Sequence, residues 1–173
     1  MNLPNKLPIL RIVLVPVCLL LAGYGVYPAA AAVFILAAVT DALDGRIARK
    51  KHLITNFGKF ADPIADKILV LSMMIVLCDR GFVPVWLPVI LVFRELMVDG
   101  LRMVAAEQGR VVAAGWSGKI KTVSQMVLIV WALLFRSGTL TVILSAIVAA
   151  LTLYSGAEYF WKLRDLFKKD LGI

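Results

Sequence analysis

Between residues 12 and 40 the chain carries no charged side chain. A helix needs about 20 apolar residues to cross a hydrocarbon layer, so this run exceeds one crossing. It is broken once, by Gly23-Tyr24-Gly25-Val26-Tyr27-Pro28. Glycine and proline favour a turn there, and tyrosines suit a membrane interface. The run therefore reads as two consecutive spans. A soluble domain of this size could not cover so much apolar surface. Of the 173 residues 61% are hydrophobic and 17% charged, against about 45–50% and about 25% in typical soluble domains. Disorder is excluded, because disordered chains are polar and poor in aliphatics. Cys18 and Cys78 are too few for a disulfide scaffold.

Continued along the chain, this reading predicts an all-α polytopic membrane protein forming one domain over residues 1–173. Six transmembrane helices are expected near residues 7–22, 29–48, 62–78, 83–106, 120–135 and 140–160. Basic residues set the orientation. With the N-terminus inside, the outer loops near residues 23–28, 79–82 and 136–139 hold only Arg80 and Arg136. Arg46, Arg49, Lys50, Lys51 and Lys59 gather on the other side, as do Arg110, Lys119 and Lys121. Both termini are then cytoplasmic, and the tail near residues 161–169 lies along the membrane surface. The net charge of +8 points to the anionic inner leaflet and an anionic substrate. No aromatic-plus-basic strip or zinc pattern favours nucleic acid.

Ionisable residues inside membrane helices are costly and mark function. Span two ends with Asp41, Asp44, Gly45 and Ala48, which share an arc of about 100° on a helix. Gly58, Asp62 and Asp66 follow at i, i+4, i+8 spacing and again share a face. Two such helices side by side would bring four carboxylates to the cytoplasmic border. Four negative charges cannot stay ionised together in a partly dry site without cations. All-oxygen ligation suits Mg²⁺ or Mn²⁺, and two ions can clamp both oxygens of a phosphoryl displacement. The rival reading is structural: Asp62 before Pro63 is a helix N-cap signature, and Asp41 and Asp44 could pair with Arg46, Arg49 or Lys50.

As a pattern, residues 41–66 read D-x2-D-G-x2-A-R-x8-G-x3-D-x3-D. This resembles the signature of the CDP-alcohol phosphatidyltransferase family at all eight fixed positions. The resemblance implies a six-helix membrane fold, a homodimer, and a divalent-metal site open to the cytoplasm. It implies that Asp41, Asp44, Asp62 and Asp66 are metal ligands, with Asp66 also able to act as the base. Gly45, Ala48 and Gly58 would make room for the cytidine nucleotide of a CDP-lipid, and Arg49 would contact its phosphates. The segments Asn2-Leu3-Pro4-Asn5-Lys6-Leu7, Arg94-Glu95-x3-Asp99-Gly100-Leu101-Arg102 and Gly118-Lys119-Ile120-Lys121-Thr122-x2-Gln125 resemble the bacterial phosphatidylglycerophosphate synthase branch. Pro8 and Ala42 depart from it, where threonine and an aromatic are common.

That branch implies CDP-diacylglycerol as donor, sn-glycerol 3-phosphate as acceptor, and residence in the bacterial cytoplasmic membrane. The acceptor phosphate needs a cationic pocket. Arg94, Glu95 and Arg102 fall within an arc of about 100° in span four. With Lys119 and Lys121, Arg94 and Arg102 are the expected acceptor-phosphate residues. A covalent route is not expected, since no Ser-His or Cys-His arrangement stands out and His52, the one histidine, sits among basic residues. The alternatives are the same chemistry on inositol phosphate, serine or phosphatidylglycerol, and a metal-ion transporter or metal-binding scaffold.

Overall fold

The protein is described by a computed structural model that covers residues 3–50, 56–110, 115–136 and 138–166, with side chains for residues 11–40, 63–110, 115–136 and 138–165. Six α-helices and no strand occur among the described residues. They are α1 Leu3–Gly23, α2 Tyr27–Lys50, α3 Asn56–Asp79, α4 Trp86–Glu107, α5 Trp116–Phe135 and α6 Thr139–Leu163. A 3-10 turn, Arg164–Leu166, follows α6. The helices run from 20 to 25 residues, or roughly 30–37 Å at 1.5 Å per residue, which matches a hydrocarbon core of about 30 Å.

Three helices stop in the same way. After α1, Gly25 takes φ +81° and the Val26 N–H donates to the Leu21 carbonyl at 2.9 Å. After α3, Gly81 at φ +70° lets the Phe82 N–H reach the Leu77 carbonyl at 2.8 Å. After α4, Gly109 at φ +71° does the same for Arg110 and Ala105. A left-handed glycine closes each helix and satisfies carbonyls that would otherwise be stranded.

Helices α2 and α3 both pack against α1 and against α5, while α4 joins α3 and α6. Phe34, Met73, Met74, Leu77, Leu91, Ile129 and Leu133 form the buried centre. The exterior is apolar as well: Leu20, Phe93, Leu96 and Met103 are between 58% and 73% exposed. Such a surface is costly in water and suits lipid. Helices α5 and α6 are each long and apolar enough to span a membrane, and Arg11–Gly23 and Tyr27–Thr40 are shorter apolar stretches.

The main departure from expectation is at α3, which begins at Asn56 rather than at residue 62 and holds Pro63 in its interior. The Asp62-Pro63 pair therefore does not start the helix. An internal proline removes one backbone hydrogen bond and costs about 3 kcal/mol. Burial of Ala65, Leu69, Val70 and Met73 just beyond it opposes that cost. Helix α5 likewise starts earlier than expected, so that Gly118, Lys119 and Lys121 all lie in its first two turns.

Candidate active site

Four helices converge on a cleft of about 170 Å³. Helix α3 contributes Asp66 and Lys67, α4 contributes Arg94, Glu95 and Arg102, α5 contributes Gly118, Lys121 and Gln125, and α6 contributes Tyr159. Ionisable side chains concentrate here because α4 turns Arg94 and Glu95 inward and α5 turns Lys121 inward, where each is buried.

Glu95 is the hub. Its Oε1 accepts a hydrogen bond from Arg94 Nη1 at 3.1 Å and another from Lys121 Nζ. Its Oε2 lies 3.7 Å from Lys67 Nζ, and Lys67 also pairs with Asp99. One carboxylate thus binds α4 to α5 and faces α3. Buried charges persist only when paired and hydrogen-bonded, and this network meets that condition for Glu95.

The cations are less completely satisfied. Arg94 Nη2 donates to Ser155 Oγ at 2.7 Å, and Arg102 Nη2 donates to the Tyr159 hydroxyl at 2.7 Å. Among the described residues, the buried donors Arg94 Nε, Arg102 Nε and Gln125 Nε2 have no hydrogen-bond partner. A buried donor left unpaired costs about 1–3 kcal/mol. Lys67, Arg94, Arg102 and Lys121 supply four positive charges, against three negative ones from Asp66, Glu95 and Asp99. Asp66 stands at the same cleft, half-buried. An anionic ligand with several acceptor oxygens is complementary to this site.

Of the residues expected from the sequence, Asp66, Arg94, Arg102 and Lys121 come together. Lys119 does not join them. It is exposed, and its ammonium lies 5.0 Å from the Trp116 ring centre. The reason is helical phase: two residues before Lys121, it points away from that side chain. Asp41, Asp44, Gly45, Ala48 and Arg49 belong to α2, and Gly58 and Asp62 to α3. The side chains at these seven positions lie outside the described residues. Among the described ones, no group of three possible His, Cys, Asp or Glu metal ligands forms. The sequence reading assigned no role to Lys67, Ser155, Gly156 or Tyr159. Lys67 could have been found from its charge beside Asp66. The α6 residues carry no such signal.

The family model described as CDP-alcohol phosphatidyltransferase matches residues 1–154. The chain belongs to the CDP-alcohol phosphatidyltransferase family. It is 40% identical to a Bacillus subtilis CDP-diacylglycerol–glycerol-3-phosphate 3-phosphatidyltransferase, over 93% of this chain and 94% of the relative. It is 42% identical to a probable phosphatidylglycerophosphate synthase of Mycobacterium tuberculosis, over 95% of this chain and 83% of that one. An Escherichia coli CDP-diacylglycerol–glycerol-3-phosphate 3-phosphatidyltransferase is 38% identical, over 91% of this chain and 92% of the relative. Family membership sets aside the transporter and scaffold readings. Asp66, Arg94, Arg102 and Lys121 fall inside the matched stretch, and Tyr159 falls beyond it.

Proposed function

We propose that this protein transfers the phosphatidyl group of CDP-diacylglycerol to sn-glycerol 3-phosphate, giving phosphatidylglycerol phosphate and CMP. The observation that carries the choice of acceptor is the cleft beside Asp66, with positive charge in excess and three buried donors unpaired. A dianionic phosphate monoester supplies both the charge and the oxygens. Serine carries no phosphate and would leave the arginine donors unmatched.

In this reading Arg94, Arg102 and Lys121 hold the acceptor phosphate. Arginine suits the task because its planar, permanently charged fork meets phosphate oxygens in pairs. The free primary hydroxyl of the acceptor is then directed toward Asp66, which takes its proton. The hydroxyl oxygen forms a bond to the lipid-side phosphorus as the bond from that phosphorus to the CMP oxygen breaks. Arg49 contacts the donor diphosphate, and Gly45, Ala48 and Gly58 leave space for the cytidine. Holding both substrates in line contributes by orientation, and the fixed cations contribute by electrostatics.

Members of this family are generally dependent on divalent metal. Asp41, Asp44, Asp62 and Asp66 would supply an all-oxygen donor set from two helices that share α1 and α5 as neighbours, a set that suits two Mg²⁺ or Mn²⁺ ions. Such ions would neutralise the diphosphate and favour departure of CMP.

The topology belongs to the same proposal: six spans, both termini cytoplasmic, and a cytoplasmic-facing site in the bacterial inner membrane. The asymmetry of Lys and Arg supports it. The proposed assembly is a homodimer, which mass measurement of the purified protein in detergent would test. The deciding experiment for function is incorporation of radiolabelled glycerol 3-phosphate into lipid, with and without chelator. Labelled lipid that requires both CDP-diacylglycerol and a divalent ion is expected. Full product with the chelator present would refute the metal assignment, and labelling of serine alone would refute the acceptor.

A further inference from the structure

Helix α6 turns a narrow face toward the cleft, made by Thr152, Ser155, Gly156 and Tyr159 at i, i+3, i+4 and i+7. Three of these meet the arginines of α4. Ser155 Oγ receives Arg94 Nη2 at 2.7 Å. A Cβ added at Gly156 would lie 3.2 Å from Arg94 Cγ and 3.3 Å from Met97 Cε, so the absent side chain is what admits the arginine stem. Tyr159, only 4% exposed, touches both guanidiniums: the Arg94 and Arg102 carbons lie 5.6 Å and 5.2 Å from its ring centre.

The Tyr159 hydroxyl adds a second level of control. It accepts from Arg102 Nη2 at 2.7 Å and from the Gly115 N–H at 3.1 Å. Gly115 is the N-cap residue immediately before α5. One phenol therefore fixes an arginine of α4 and the start of the helix that carries Gly118 and Lys121. The two guanidiniums repel each other, and the negative face of an aromatic ring offsets that repulsion. They sit eight positions apart on α4 and share this ring, which sets their spacing.

We propose that Tyr159 is a positioning residue for the acceptor phosphate: it holds Arg94 and Arg102 as a pair before glycerol 3-phosphate arrives. The proposal rests on the function given above. It predicts a selective effect. Losing the hydroxyl leaves Arg102 free to swing, which weakens the grip on the acceptor phosphate but not on the CDP-lipid.

The test is a matrix of initial rates of CMP release in nanodiscs, varying both substrates, for wild type, Tyr159→Phe and Tyr159→Leu. Tyr159→Phe keeps the ring. It should raise KM for glycerol 3-phosphate about tenfold, the scale of one hydrogen bond to a charged group, with KM for CDP-diacylglycerol and kcat within about twofold of wild type. Tyr159→Leu removes ring and hydroxyl and should raise the acceptor KM further if it folds; Tyr159→Phe decides the matter if it does not. A Tyr159→Phe variant indistinguishable from wild type would overturn the proposal, as would equal changes in both KM values, while leaving the reaction intact. Wild-type protein inactive with glycerol 3-phosphate but active with serine would instead overturn the functional reading, and this proposal with it.

Discussion

Replacing Glu95 by glutamine tests the charge balance of the cleft directly. The substitution keeps the shape of the side chain and removes its charge. Glu95, Arg94 and Lys121 have side chains only 6–7% exposed, so water cannot compensate easily. Removing one partner of a buried ion pair costs about 3–5 kcal/mol. Glutamine still offers one acceptor oxygen, which places the expected loss near the lower end, about 3 kcal/mol. For a chain of this size that corresponds to a fall in Tm of roughly 6–12 °C. Inorganic phosphate should then act as a replacement anion. At about a hundred times its Kd a ligand contributes about 2.7 kcal/mol, enough to restore most of the loss. The assay is thermal unfolding of wild type and Glu95→Gln in detergent, across a phosphate titration. Phosphate should raise the Tm of the variant by more than that of the wild type, which already holds a carboxylate among these cations. An unchanged Tm, or equal phosphate shifts in both proteins, would refute the reasoning.

The other expectations concern single positions. Asp66→Asn should lower labelled glycerol 3-phosphate incorporation by about 10²–10⁴, the usual contribution of a general base. Lys119→Ala should leave the acceptor KM unchanged because that ammonium lies over Trp116, whereas Lys121→Ala should raise it about tenfold or more; steady-state kinetics of both variants separates them. Gly156→Ala should cost about 1 kcal/mol by overpacking against Arg94 and Met97, and a severalfold rise in acceptor KM would show the arginine displaced.

Charge in an apolar setting is what made much of this site legible from sequence. Arg94, Glu95 and Lys121 stand out because a membrane helix has few other reasons to carry them, and the shared phase of Arg94, Glu95 and Arg102 on α4 pointed to one face. Spacing singles out the aspartates at 41, 44, 62 and 66, of which the described side chains include Asp66, at the cleft. Tyr159, Ser155 and Gly156 were not legible. A small residue, a hydroxyl and an aromatic in an apolar helix fit lipid-facing or core positions equally well, and only the neighbouring helix decides which. The start of α3 was misplaced because Asp62-Pro63 satisfies the local rules for a helix beginning, while packing of the residues that follow keeps Pro63 inside a longer helix.

The end of the bundle remote from Asp66 carries the two basic residues that stand apart from the others. Arg80 Nη2 donates to the Gly23 carbonyl at the end of α1. The Arg136 guanidinium lies 5.5 Å from the centre of the Tyr27 ring, and that ring meets Phe82 edge-on at 5.1 Å. These contacts fasten the α1–α2, α3–α4 and α5–α6 connections around one tyrosine, like the gathered neck of a bag. Parting these three connections would break all of those contacts at once.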